Sequence, residues 1–173
     1  GVIESIFIKQ ENIVFELDSA NSGIKNIYFF SEDSLSERFF YDPVYDFRPR
    51  RWVELHRGVR LYIDSYSSVD YAKNYSSNTF SGIVGSVTKV DDIEIEYHMR
   101  IGDNRVIGIV GKLKSVNGID ISYHKNYSEN KRGGYMGKIE SIGDLKFEFH
   151  NRHTYSDLAN YIGKIKEIDD IKF

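Results

Sequence analysis

The densest cluster of residues able to do chemistry is the segment Phe39–Arg60, FFYDPVYDFRPRRWVELHRGVR. It sets Arg48, Arg50, Arg51, Arg57 and Arg60 among Tyr41, Tyr45, Phe47 and Trp52, with Asp42, Asp46 and Glu54 beside them. It also holds both prolines and the single tryptophan of the chain. Aromatic faces flanked by carboxylates and guanidinium groups suit sugar rings, and Trp, Tyr and Arg also dominate protein interfaces. Proline-bearing loops of this kind are where binding usually resides. The expected site is therefore Tyr41, Asp42, Tyr45, Asp46, Phe47, Arg48, Arg50, Arg51 and Trp52, meeting a protein or a glycan. The plainer alternative is a structural cap, with Trp52 and Phe47 anchored on a sheet and the arginines paired with nearby carboxylates.

Arginine among aromatics would also serve single-stranded nucleic acid, by stacking and phosphate pairing. With 23 Lys+Arg against 26 Asp+Glu, a formal charge of −3 and no basic stripe continuing the patch, no nucleic-acid partner is expected. A glycoside-type hydrolase using Asp42, Asp46 or Glu54 is the competing reading, although a chain with 26 acidic residues always offers some such pair. No G-x-S-x-G elbow, H-E-x-x-H helix, dinucleotide fingerprint or EF-hand loop occurs, so the module is expected to be non-catalytic and without a cofactor. The absence of cysteine excludes disulfides and thiolate chemistry.

His98, His124 and His150 recur at a spacing of 26 residues, which suggests a metal ladder. Equivalent positions in successive hairpins lie about 9–10 Å apart, whereas ligands sharing one zinc sit about 2.0–2.1 Å from it. The three are expected instead as partly buried packing residues opposite Val84, Val110 and Met136, with no metal. Asp91-Asp92 and Asp169-Asp170 suit turns more simply than calcium.

The elements that must position these residues follow from the same 26-residue period, which Gly85, Gly111, Gly137 and Gly163 mark. Around them one phrase returns: GSVTKVDDIEIEYH, GKLKSVNGIDISYH, GKIESIGDLKFEFH and GKIKEIDDIKF. A fixed short period means one supersecondary unit copied side by side. Period-2 alternation on both sides of a turn makes that unit a β-hairpin. An aromatic content of 14% with two prolines fits strands. A three-residue loop, such as Ile142-Gly143-Asp144, sets Ile139 opposite Phe147 and pairs Lys138 with Glu148, Glu140 with Lys146, and Lys114 with Asp120. Charge segregation favours that register. It places Gly85, Gly111 and Gly137 within strands, shielded by Tyr97, Tyr123 and Phe149. The G-K pairs lack the spacing of a phosphate loop.

The N-terminal Gly1–Ile6 matches Gly137–Ile142 at five of six positions, which reads as a divergent copy with a hairpin loop four residues longer. The expected architecture is one all-β domain, an antiparallel meander of hairpin repeats forming a long twisted sheet or partly closed barrel. Its parts are a divergent repeat over 1–17, an irregular aromatic-rich cap over 18–80, and four hairpin repeats over 81–173, the last truncated. Short helical turns are expected at most near Ser34–Phe40 or Tyr155–Tyr161. Ile83, Ile109, Tyr135 and Tyr161 alternate with Val84, Val110, Met136 and Ile162, making both sheet faces apolar at one end. Self-association through that row or a sheet edge is thus a third reading. The start at Gly1 and the halt at Phe173 lead us to expect a longer, extracytoplasmic array, and the Asn-Tyr-Ser sequons at Asn74 and Asn126 carry meaning only in a eukaryotic secretory setting. No apolar run approaches membrane-spanning length.

Overall fold

The computed structural model describes residues 5–18, 23–30, 51–63, 68–105, 108–150 and 163–172. They form two open sheets and no closed barrel. The smaller has five strands: β1 (Ser5–Gln10), β2 (Ile13–Asp18), β3 (Ile24–Phe29), β4 (Arg51–Glu54) and β5 (Arg60–Ile63), in the order β1-β2-β3-β5-β4. All its pairs are antiparallel except β3 with β5. The larger has nine strands in sequence order: β6 (Val69–Tyr71), β7 (Val87–Val90), β8 (Ile93–Tyr97), β9 (Leu113–Val116), β10 (Ile119–Tyr123), β11 (Ile139–Ile142), β12 (Leu145–Phe149), β13 (Ile165–Ile168) and β14 (Ile171–Lys172). The stretch 18–80 therefore contributes β3, β4 and β5 to the smaller sheet and β6 to the larger.

The hairpins of the larger sheet are tighter than the charge pattern implies. Val90 pairs Ile93, Val116 pairs Ile119, Ile142 pairs Leu145 and Ile168 pairs Ile171, so every turn has two residues. The first residue of each turn is left-handed, Asp91, Asn117, Gly143 and Asp169 at φ of 48–56°, and in the second hairpin Gly118 follows at 79°. Gly, Asn and Asp enter that region most readily among the common residues. The N-terminal hairpin obeys the same rule, pairing Gln10 with Ile13 around Glu11-Asn12, so it has no longer loop.

A β-bulge in each unit overturns the three-residue register. Glu96 pairs Ser115 while Tyr97 pairs Leu113, leaving Lys114 extra. Thr88, Glu140 and Lys166 are extra in the same way, and Lys25 is the extra residue between β2 and β3. In a regular strand, residues three apart point to opposite faces. The bulge rotates the chain so that both turn inward. Val87 with Val90, Leu113 with Val116, Ile139 with Ile142 and Ile165 with Ile168 are accordingly all buried. The bulge also moves the ion pairs. Lys114 meets Glu96 at 2.6 Å and Lys166 meets Glu148 at 2.9 Å, each across to the preceding unit and not within its own hairpin. Both pairs are solvated, so Lys114→Ala should change stability in urea unfolding by no more than about 0.5–1 kcal/mol. A larger loss would show that the pair fixes the bulge.

Gly85, Gly111, Gly137 and Gly163 precede their strands, not within them, at φ of 75–79°. Each links one unit to the last: the N–H groups of Gly111, Gly137 and Gly163 donate to the carbonyls of His98, His124 and His150 at 2.8–2.9 Å. The histidine N–H groups in turn donate to Lys112, Lys138 and Lys164. Val84, Val110 and Met136 are thus not the cross-strand partners of these histidines. Lys112 donates to the Gly137 carbonyl at 2.8 Å, over the Tyr123 ring, and Lys138 does the same to Gly163 over Phe149. The G-K pairs are couplers between neighbouring units.

Helical turns appear where the sequence reading placed none: α1 (Ser76–Ser81) and α2 (Ser128–Gly133), each starting just after Asn-Tyr of a sequon. The Asn78, Asn104 and Asn130 side chains each donate to a carbonyl five residues back, on Lys73, Met99 and Lys125, at 2.8–2.9 Å. Ser34–Phe40 and Tyr155–Tyr161 lie outside the described residues. Ile83-Val84, Ile109-Val110 and Tyr135-Met136 lie in the turns before their strands, with Ile83 and Ile109 buried and Val84 45% exposed, so they do not form a second apolar sheet face. One apolar cluster runs through both sheets, from Ile8, Phe15, Ile27, Leu61 and Val53 to Ile95, Val116, Ile142 and Ile168. The Leu55 carbonyl accepts the Val87 N–H at 3.4 Å, joining the two sheets by backbone.

Candidate functional site

The smaller sheet has one apolar and one polar-aromatic face. Ile8, Phe15, Ile27, Leu61 and Val53 are direct cross-strand neighbours through all five strands and form the buried side. Stepping one residue along each strand reverses the face. The row then reads Lys9, Val14, Tyr28, Tyr62, Trp52, and the row beside it reads Phe7, Glu16, Asn26, Arg60, Glu54. Three aromatic side chains thus stand in line on adjacent strands. Tyr28 and Tyr62 stack at 5.0 Å and 14°, Trp52 is 48% exposed, and the Arg60 guanidinium lies 4.7 Å from the Trp52 ring centroid.

The inner end of this face is held by Glu16, which is buried. It accepts hydrogen bonds from Asn26 at 2.6 Å, Tyr28 at 2.7 Å and Ser5 at 2.9 Å, and pairs with Lys25 at 3.4 Å. Burial alone would raise its carboxyl. The three donors and the lysine outweigh burial and hold it below the usual carboxylate value. Tyr28 is raised well above the usual phenol value, by burial first and then by donating to Glu16. The Glu16 network therefore fixes Tyr28 in place, and Tyr28 aligns Tyr62 beside Trp52.

Of the residues expected to bind, Trp52 lies on this face. Arg51 opens β4 as the backbone partner of Ile63. Tyr41, Asp42, Tyr45, Asp46, Phe47, Arg48 and Arg50 lie outside the described residues. Glu54, the third carboxylate of the hydrolase reading, is the cross-strand partner of Arg60. Tyr28 and Tyr62 escaped the sequence reading because their alignment with Trp52 depends on the parallel pairing of β3 with β5, which sequence spacing does not encode.

His98 and His124 are packing groups. Both are half-buried, their rings edge-on to Tyr123 at 5.4 Å and Phe149 at 5.5 Å. His98 Nε2 is 3.3 Å from the Ile121 carbonyl. Burial lowers the affinity of both rings for a proton. Among the described residues no group of three His, Asp or Glu could hold a metal ion, and no helix is long and apolar enough to cross a membrane.

The geometry defines an all-β protein built as a meander of hairpins, with an aromatic face on its smaller sheet. Comparison with family models, curated proteins and solved structures gave no match.

Proposed function

We propose that this is a non-catalytic, extracytoplasmic β-repeat module that binds a glycan on the aromatic face of its smaller sheet. The single observation carrying the reading is the exposed Trp52 with Arg60 over its ring, in line with the stacked Tyr28 and Tyr62. A sugar lays its C–H face on an aromatic ring and directs its hydroxyls sideways, where Arg60 offers donors and Glu54 acceptors. A protein partner fits less well. Protein interfaces cover about 800 Å² on each side, and three rings, two of them half-buried, present far less.

Trp52 is the only tryptophan, so binding reads directly in its fluorescence. Titration with a panel of soluble polysaccharides should shift and enhance that emission for at least one of them. In affinity gels the same polysaccharide should retard the wild type, and Trp52→Ala should abolish the retardation while leaving the unfolding midpoint nearly unchanged. Retention of a folded Trp52→Ala variant equal to wild type would sink the site. A protein captured by wild type and lost with the variant, with no polysaccharide response, would replace the glycan with a protein partner.

A further inference from the structure

We propose a second binding site, for a small molecule carrying an oxyanion, either carboxylate or phosphate, in the cleft where the 55–59 loop meets the larger sheet. The cleft has a volume of about 340 Å³, within the usual size of a small-ligand pocket. Its lining brings Arg57, Lys112 and Lys138 together with His56 and, among the described residues, includes no Asp or Glu, the Glu54 charge acting on His56 from outside it. That is a concentration of positive charge in a chain whose net charge is −3.

Three features mark the cleft as built for a ligand. Gly111 makes room for it: a methyl group on Gly111 would lie 3.1 Å from His56 Nε2 and 3.4 Å from an Arg57 guanidinium nitrogen. His56 Nε2 is buried with no hydrogen-bond partner among the described residues, while Nδ1 is 2.8 Å from Ser86 Oγ. Either ring nitrogen can carry the hydrogen, and in the tautomer in which the Ser86 hydroxyl donates to Nδ1 it sits on Nε2, where it serves an anion as donor. Arg57 is the third feature. It holds φ of 52° at the tip of the β4–β5 loop, followed by Gly58 at 82°. The turn is closed by the Val59 N–H on the His56 carbonyl and has the left-handed form of the other hairpin turns, and it brings the guanidinium into the cleft lining.

Among the described residues Lys112 and Lys138 each spend one ammonium hydrogen on a glycine carbonyl, which leaves two each for a ligand. The nearness of the positive charges supports the same reading: Arg57 disfavours the protonated forms of His56 and of Lys112, in each case after burial. An anion entering the cleft would relieve that repulsion. This site is independent of the Trp52 face.

The test is calorimetric titration of the full chain with glucuronate, glucose 6-phosphate and inorganic phosphate at low salt, alongside Arg57→Gly. Glycine removes the guanidinium and accepts the left-handed backbone, so Arg57→Gly should fold with an unchanged or raised midpoint and bind at least tenfold more weakly. Trp52→Ala should bind the anion as wild type does, so failure here is distinct from failure of the glycan face. Response to glucuronate alone identifies a carboxylate ligand, and response to the phosphate probes alone identifies a phosphate ligand. No heat with any of the three at millimolar concentration, or equal affinity in Arg57→Gly, overturns the proposal.

Discussion

Replacing Gly111 with Ala should lower stability by about 2–5 kcal/mol, a left-handed strain of roughly 1–2 plus a crowding cost of roughly 1–3. Gly111 sits at φ of 78°, and an added Cβ would lie 3.3 Å from the Ser81 carbonyl oxygen as well as 3.1 Å from His56 Nε2. A backbone oxygen cannot step aside as a flexible side chain can. Gly85 is the control. It has φ of 79° and nothing within 4 Å of a built Cβ, so Gly85→Ala should cost only the strain of about 1–2 kcal/mol. Urea unfolding of both variants checks the ranking. Equal losses would show that the neighbours of Gly111 relax freely.

The second large effect is at Glu16. Glu16→Ala leaves the Asn26 and Tyr28 donors without their acceptor and Lys25 without its partner. Removing one member of a buried charged network costs about 3–5 kcal/mol, several times the loss expected for Lys114→Ala. The acid side of the pH profile follows from the same groups. Glu16 is held below its ordinary value near 4.5, so its contribution is present above that pH and is lost as pH falls through the lowered folded value. His56, His98 and His124 are lowered from 6.5, each chiefly by burial. Their neutral forms suit the folded state, and protonation in the unfolded chain draws stability away as pH falls below 6.5. Thermal midpoints should decline from pH 7 to 5 and again below 4.5, with Glu16→Gln flattening the second decline. A midpoint constant from pH 7 to 4 would contradict both assignments.

The strand class and the hairpin unit were legible because Gly85, Gly111, Gly137 and Gly163 punctuate an alternating apolar pattern. The register was not. Pairing Lys138 with Glu148 and Glu140 with Lys146 assumed that charges find partners within one hairpin. The overlooked signal is apolar spacing of three, as in Ile139 and Ile142 or Leu113 and Val116. An unbroken strand cannot bury both residues of such a pair, so the spacing itself demands a bulge between them. The same spacing at Ile24 and Ile27 foretells the bulge at Lys25. The candidate site was legible at Trp52, with Arg60 and Glu54 in the same segment. Tyr28 and Glu16 sit on one hairpin and Tyr62 and Trp52 on the next pair of strands, and only the parallel pairing of β3 with β5 brings the two together, which is a tertiary fact.

The hydrogen bonds from Lys112 to Gly137 and from Lys138 to Gly163 have a consequence for how the molecule comes apart. Each hairpin of the larger sheet bonds to the one before and the one after, so its energetics are those of a linear chain of coupled two-state elements. In such a chain the ammonium–carbonyl bond is a coupling constant between sites. Weakening one coupling shifts the whole transition less than it divides it. A boundary opens between Tyr123 and Ile139 or between Phe149 and Ile165, and the segments on either side melt as separate cooperative blocks.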